Sequence, residues 1–537
     1  AALGGAQLDI SHVNSDSRSG MSVFVILGGS LLTLYVAASV LLSNGNTMGS
    51  LFYYMLIGGG VFGLMAPRKA FFLFLLQCAC LDFAKRLMIL AGSVSHSDLY
   101  FVLGIAPVTV AGIATGLVIR VFFGQVRAGG DDFLRLMIAG VIMAAGAFLG
   151  FRGGGGLAGM MKTVAEGYFY SILIFVIPLL FPTARDIRQV WGFTLMLFTP
   201  VAIYGICQQL FGYQEFEIDY LKTGLSIEVK QLVMNRVRAF STLNSPTSLS
   251  LICSELAAVA LLLAAVRKRD RQLGLLGIAA FGFAAVFIGG WLASTVRVGI
   301  LVVPVALVAA VLFRSGRLTV AFYAFCLIAF AGLVASSSYI LMNVESWTMK
   351  IHEWTGNNDY LANMLDANTY KDRLMGFVNV LGNPAAYSLF GLGEDQMHGD
   401  FYNHDPLSTA LVKYGALPVA GTLMMVIPAL VYLHRSAMMI RHEGAQRLAI
   451  ACLAVAAGSV AVSMIGGNLI ATFPGNAFLA MPIGMVIALR RTDQQAAAVE
   501  EGAEPEKTPS NSPPLAQPWA GQRVPWQAAA PPTHNYR

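Results

Sequence analysis

The sequence predicts an all-α polytopic membrane protein, and three observations carry that prediction. Hydrophobic residues make up 56% of the 537 positions and charged residues only 12%, with a mean hydropathy of +0.66, so a single water-soluble core would leave large apolar patches exposed. The apolar residues gather into about fourteen stretches close to the ~20-residue length that crosses a bilayer. Between the stretches, short clusters of Lys and Arg recur on alternate sides, as they do in cytoplasmic loops.

In chain order the stretches cover residues 21–43, 49–66, 70–92, 100–122, 133–150, 168–183, 190–211, 248–266, 275–293, 298–313, 319–341, 406–433, 448–466 and 476–489. An internal N-terminus places Arg68 and Lys69, Arg127, Arg185 and Arg188, the run from Arg267 to Arg271, Arg314 and Arg317, Arg435, Arg441 and Arg447, and Arg490 and Arg491 all in the cytoplasm. The opposite face then receives two long, polar, aromatic segments, 213–247 and 342–405, the second a large loop just before the twelfth stretch. Residues 1–20 are polar and read as a disordered N-terminal extension, 21–491 as the transmembrane domain, and 492–537, rich in Ala, Pro, Glu and Gln, as a disordered cytoplasmic tail.

Several function classes are set aside by composition. The net charge of +6 arises from clusters at helix ends, where they orient the chain, so nucleic acid is not an expected partner. The six cysteines lie in apolar stretches and read as small core residues, with no disulfide framework and no metal site. No P-loop, dinucleotide fingerprint or HExxH occurs, so neither ATP hydrolysis nor a bound metal or cofactor is expected.

The charges outside those cytoplasmic clusters are the candidates for function. Arg297 separates two apolar stretches with almost no loop; it either snorkels at a helix end or turns its planar fork to phosphate oxygens. Arg236 and Arg238 precede a turn at Asn244, Ser245 and Pro246 that starts a helix, and helix N-termini favour anions. Asp82 and Arg86 stand at i,i+4, which suits a structural ion pair, while Lys85 and Arg86 also suit a path for a lipid phosphate. The glycine run after Arg152 lacks the Lys and hydroxyl of a phosphate loop and reads as a flexible loop. His404, where the large loop meets the membrane, is the candidate for proton transfer, with Asp405 or Asp400 placed to orient its ring.

Four local patterns resemble the O-antigen ligase and polymerase superfamily of bacterial membrane glycosyltransferases. Residues 238–247 (RAFSTLNSPT) are similar to its Arg-x-x-Gly-Thr-x-x-x-Pro-Asn helix start, and Ser294 to Arg297 (STVR) to its Thr-x-Ser-Arg turn. Arg373 followed by residues 383–393 (NPAAYSLFGLG) looks like an Arg, a helix and then Pro-Leu-Phe-Gly-x-Gly. Residues 403–418 (NHDPLSTALVKYGALP) resemble His-Asn-x-Tyr-Leu followed by Glu-x-Gly-Leu-Leu-Gly. Asp405 stands where the pattern has Asn, Thr247 replaces the Asn after Pro246, and Val296 stands beside Arg297 where the pattern has Ser.

The resemblance implies a GT-C-like helical fold in the bacterial inner membrane, working at its periplasmic face on an undecaprenyl-pyrophosphate-linked oligosaccharide. It implies Arg236, Arg238, Arg297 and Arg373 as ligands of the donor pyrophosphate, His404 as general base, and Asp405, Lys85 and Arg86 in support. Trp347, Trp354, Tyr360, Tyr370 and Tyr402 then either stack on sugar rings or form an interfacial belt. A polysaccharide polymerase is the favoured activity. A ligase acting on lipid A core, an oligosaccharyltransferase and, from another class, a lipid-linked oligosaccharide flippase are the alternatives. A flippase and a chain-length regulator are expected partners by analogy.

Overall fold

A computed structural model describes residues 47–90, 96–126, 128–151, 156–223, 232–233, 236–267, 274–296, 301–314, 414–466 and 473–502, with position 299 and single positions between 343 and 412. The described chain is almost entirely helical. Its helices are α1 (Thr47–Met65), α2 (Pro67–Leu90), α3 (His96–Phe122), α4 (Gly130–Gly150), α5 (Gly156–Glu166), α6 (Leu173–Leu180), α7 (Ala184–Phe211), α8 (Glu215–Lys222), α9 (Pro246–Arg267), α10 (Gly274–Ser294), α11 (Val302–Arg314), α12 (Ala416–Met438), α13 (Glu443–Gly466) and α14 (Gly475–Gly502). A 3-10 turn, Tyr168–Ile172, leads into α6, and a minimal antiparallel ladder pairs β1 (Leu232–Val233) with β2 (Arg236–Val237).

Among the described residues, five helices are long and apolar enough to cross a membrane: Phe101–Phe122, Gly130–Gly150, Ala184–Phe211, Pro246–Val266 and Glu443–Ser463. A sixth is added if the bent pair Gly159–Ala165 and Tyr168–Leu180 counts as one span. The α4 surface shows the solvent these helices need: Phe133, Leu134, Met137, Ile138, Val141 and Phe148 are all exposed along it. Water would penalise that surface, whereas lipid does not. The chain is a polytopic membrane protein.

Two expected stretches, 21–43 and 319–341, lie outside the described residues, as do 1–20 and 503–537. The stretch 406–433 is not one helix. Gly415, at φ +91, ends the turn that includes Leu411, and α12 starts only at Ala416, because a left-handed residue cannot continue a right-handed helix. At the other end, α14 continues past 492 to Gly502. Thr492 donates to the Pro182 carbonyl, and the Asp493 carboxylate accepts from the backbone amides of Arg441 and His442.

Small residues set the closest helix contact. A Cβ on Gly112 would stand 2.1 Å from the Gly60 carbonyl oxygen, and one on Gly116 2.6 Å from that of Leu64. The Gly112-x-x-x-Gly116 spacing therefore lets α3 lie directly on the α1 backbone, the route by which membrane helices gain packing without a hydrophobic driving force.

Polar contacts sort the helix ends into two sets. At one end Arg68 pairs with Asp186, Arg491 with Asp132 at 3.1 Å and Arg490 with the Met439 carbonyl at 2.7 Å, so the cationic loops that the sequence places together do meet. At the other end the last turns of α2, α7 and α10 converge on the start of α9.

Candidate functional site

The converging ends hold residues 238–245 against the bundle by nearly every polar group available. Phe240 and Ser241 donate their backbone N–H groups to Gln208 Oε1 at 3.1 and 2.7 Å, and Ala239 N–H reaches the Ala293 carbonyl at 3.2 Å. Ser241 Oγ donates to the Val201 carbonyl at 2.5 Å, and Thr242 Oγ1 to that of Ala79 at 2.6 Å. Tyr213 donates its hydroxyl to the Arg238 carbonyl at 2.7 Å. Burial, with the Glu217 carboxylate adding to it, pushes this phenol well above its ordinary pKa, so it stays a donor.

Arg86 is the centre of the arrangement. It is 1% exposed, donates from Nη1 to the Ser241 carbonyl at 2.6 Å and from Nη2 to that of Leu243, and lays its guanidinium 4.3 Å from the Phe240 ring centroid. Its charge is answered by Glu217, whose Oε1 stands 3.8 Å away on α8 and also accepts from Gln208. The other Glu217 oxygen accepts from Gln214 N at 3.1 Å and so caps α8. Tyr220, Leu221 and Phe240 close the underside with Ile89 and Leu90. The ion pair expected between Asp82 and Arg86 forms instead between Asp82 and Lys85, at 2.8 Å, because the carbonyls of the turn take both guanidinium nitrogens.

Ser241 adopts φ +55. For a residue with a Cβ this conformation is unfavourable by about 1–2 kcal/mol, and it persists here because the surrounding bonds fix it. The turn then delivers the chain to α9, which starts as the local sequence predicts. Ser245 Oγ accepts from Ser248 N at 3.2 Å, and Pro246 occupies the first helical position.

Of the residues singled out from sequence, Arg238 is half-buried at this site. Its Nε is enclosed without a hydrogen-bond partner, and it has no carboxylate in ion-pair reach among the described residues. Burial pulls its pKa below the ordinary arginine value, an effect Tyr213 opposes only in part, and a guanidinium so placed remains charged. Arg236 contributes its backbone to β2, and its side chain lies outside the described residues. Arg297, Arg373, His404 and Asp405 also lie outside them, as do Arg152 and the aromatic residues Trp347, Trp354, Tyr360, Tyr370 and Tyr402.

The described flanks of these residues still carry information. Val296 accepts from Ser250 Oγ at 3.1 Å and from Trp291 Nε1 at 2.8 Å, which seats the chain leading to Arg297 beside the first turns of α9. Ala416 N–H donates to the Ser388 carbonyl at 3.0 Å and Leu417 N–H to that of Leu389 at 3.1 Å, so Ser388 and Leu389 lie against the start of α12. Residues 238–247 thus lie beside 294–296, and Ser388 and Leu389 beside Ala416 and Leu417. Sequence reading missed Gln208, Tyr213, Glu217 and Ser241. A Gln-Gln pair in an apolar helix and the Gln214-to-Glu217 capping spacing were the available signals.

Fold and site together define a polytopic helical membrane protein with an arginine-bearing segment fixed at the end of the bundle opposite its cationic loops. Compared with family models, with curated proteins and with solved structures, the chain matches none.

Proposed function

We propose that this chain is a metal-independent glycosyltransferase of the O-antigen ligase and polymerase type, with about fourteen spans in a GT-C-like arrangement. It works at the periplasmic face of the bacterial inner membrane and elongates a polysaccharide. The hydroxyl of one lipid-linked repeat unit attacks the anomeric carbon of another. The bond from that carbon to the undecaprenyl pyrophosphate oxygen breaks, and the hydroxyl proton passes to His404. Arg238, Arg297 and Arg373, with Arg236 in support, hold the pyrophosphate and stabilise the charge it gains on departure.

The observation that carries this reading is Arg238. A half-buried guanidinium without an acidic partner among the described residues, on a segment fixed from 238 to 245 at a helix start, is a preorganised anion ligand. The left-handed Ser241 adds support, since it occupies the position where the family pattern has Gly. The contact of Ala239 with Ala293, which brings the first two patterns together, adds more.

The test is to supply the purified protein in liposomes with a lipid-pyrophosphate-linked repeat unit and no nucleotide or metal, then resolve the glycans. A ladder of multiples, abolished by His404→Ala, is the expected result. An intact donor with a competent repeat from the native host removes the polymerase reading, and transfer only when lipid A core is added makes the enzyme a ligase.

A further inference from the structure

Among the described residues, two that carry a Cβ adopt left-handed backbone, Ser241 and Thr295, each at φ +55. They stand on the two segments that meet beside the start of α9. Ala239 N–H donates to the Ala293 carbonyl at 3.2 Å, so Arg238 is one residue and Thr295 two residues from the same bond. For a β-branched residue this backbone is a steric outlier, and such outliers gather where a ligand is held.

The turn around Thr295 answers its backbone from within. Thr295 N–H donates to the Leu292 carbonyl at 3.1 Å, Val296 N–H to Ser294 Oγ at 3.2 Å, and Ser294 Oγ to the Trp291 carbonyl at 2.7 Å. The Thr295 hydroxyl differs: Oγ1 is enclosed and has no hydrogen-bond partner among the described residues. Thr194 and Thr199 of α7 show the usual outlet for such a group, donating to the Val190 and Leu195 carbonyls at 2.8 and 2.7 Å. Nearby, the hydroxyls of Ser241, Thr242, Ser248 and Ser250 all donate within the chain. Arg238 Nε shares the condition of Thr295 Oγ1. Both residues are partly exposed, so rotation of their side chains presents both groups to an incoming ligand. A guanidinium only donates, and a hydroxyl can donate as well. Two donors without acceptors, one of them positively charged, call for an anionic oxygen.

We propose that Thr295 donates its hydroxyl to the phosphate oxygens that Arg238 binds. It is then a ligand of the donor pyrophosphate at the position that the Thr-x-Ser-Arg pattern leaves free. The left-handed backbone takes the residue off the end of α10, and the bond its hydroxyl would make in a helix is left for the ligand. This assignment rests on the reading of Arg238 as an anion ligand.

The full-length protein in detergent micelles is titrated calorimetrically with farnesyl pyrophosphate, with farnesol as the uncharged control. Wild type is expected to prefer the pyrophosphate. Thr295→Val, which keeps the branched shape, should weaken pyrophosphate binding about tenfold and leave farnesol binding unchanged, while Thr295→Ser keeps the wild-type affinity. Thr295→Gly removes the hydroxyl and relieves the backbone. It should unfold no more readily than wild type yet bind the pyrophosphate as weakly as the Val variant, a combination that a purely structural threonine would not give. Undiminished pyrophosphate affinity in the Val and Gly variants, with Arg238→Lys weakened, overturns the Thr295 assignment alone. No preference for the pyrophosphate in wild type overturns the Arg238 reading and Thr295 with it. Should Thr295→Val fail to fold, Thr295→Gly decides, and undiminished affinity in it overturns the assignment.

Discussion

Replacing Arg86 with Met tests whether one buried guanidinium organises the segment from 238 to 245. The change removes donors to the Ser241 and Leu243 carbonyls and leaves the Glu217 carboxylate, whose side chain is 0% exposed, without its cation. Breaking a buried pair by deleting one partner costs about 3–5 kcal/mol, most of it the uncompensated charge left behind. Glu217→Gln is expected to cost less, about 1–2 kcal/mol, because Gln208 still finds an acceptor at 217 and Arg86 keeps its two carbonyls. The double variant removes the stranded charge and recovers part of the loss, a coupling of about 1–3 kcal/mol. Equilibrium unfolding in mixed micelles, followed by tryptophan fluorescence, measures all three. A loss below about 1 kcal/mol for Arg86→Met, or strict additivity in the double variant, would show that the network does not hold the segment.

Three further outcomes are expected. At Ser241, Gly relieves the left-handed backbone while Ala retains it, and both lose the bond to Val201, so unfolding measurements should rank Ser241→Gly above Ser241→Ala by about 1 kcal/mol. Gly112→Leu drives a side chain into the Gly60 backbone and should abolish the monodisperse folded peak in size-exclusion chromatography, whereas Gly192→Ala, whose Cβ meets nothing within 4 Å, should leave it intact. Arg238→Lys keeps the charge but not the planar fork. It should weaken binding of a lipid pyrophosphate by about tenfold with unfolding unchanged, and equal affinity would remove Arg238 from the anion site.

Legibility differed between helices and site. The stretches 100–122 and 133–150 agree with α3 and α4 within a few residues, since apolar length alone marks a membrane helix. The start of α9 was equally plain, because its cap and its proline are local signals. Arg86 looked like a partner for Asp82 because the sequence shows i,i+4 neighbours but not the carbonyls of a turn far along the chain. The polar segment 213–247 hid the amphipathic helix α8, whose apolar face is completed by Phe240 and by Ile89 and Leu90 of α2.

The sequence by itself determined that the chain is a helical membrane protein and predicted the side of each loop. Both follow from composition and local charge, which act residue by residue. Only the tertiary structure decided that Gln208, Glu217 and Arg86, on three different helices, converge on one turn and force Ser241 into a left-handed backbone. It also decided that Glu255 of α9 is enclosed within the bundle. Such placements depend on which helix faces which, and packing across the whole bundle sets that where no local pattern can.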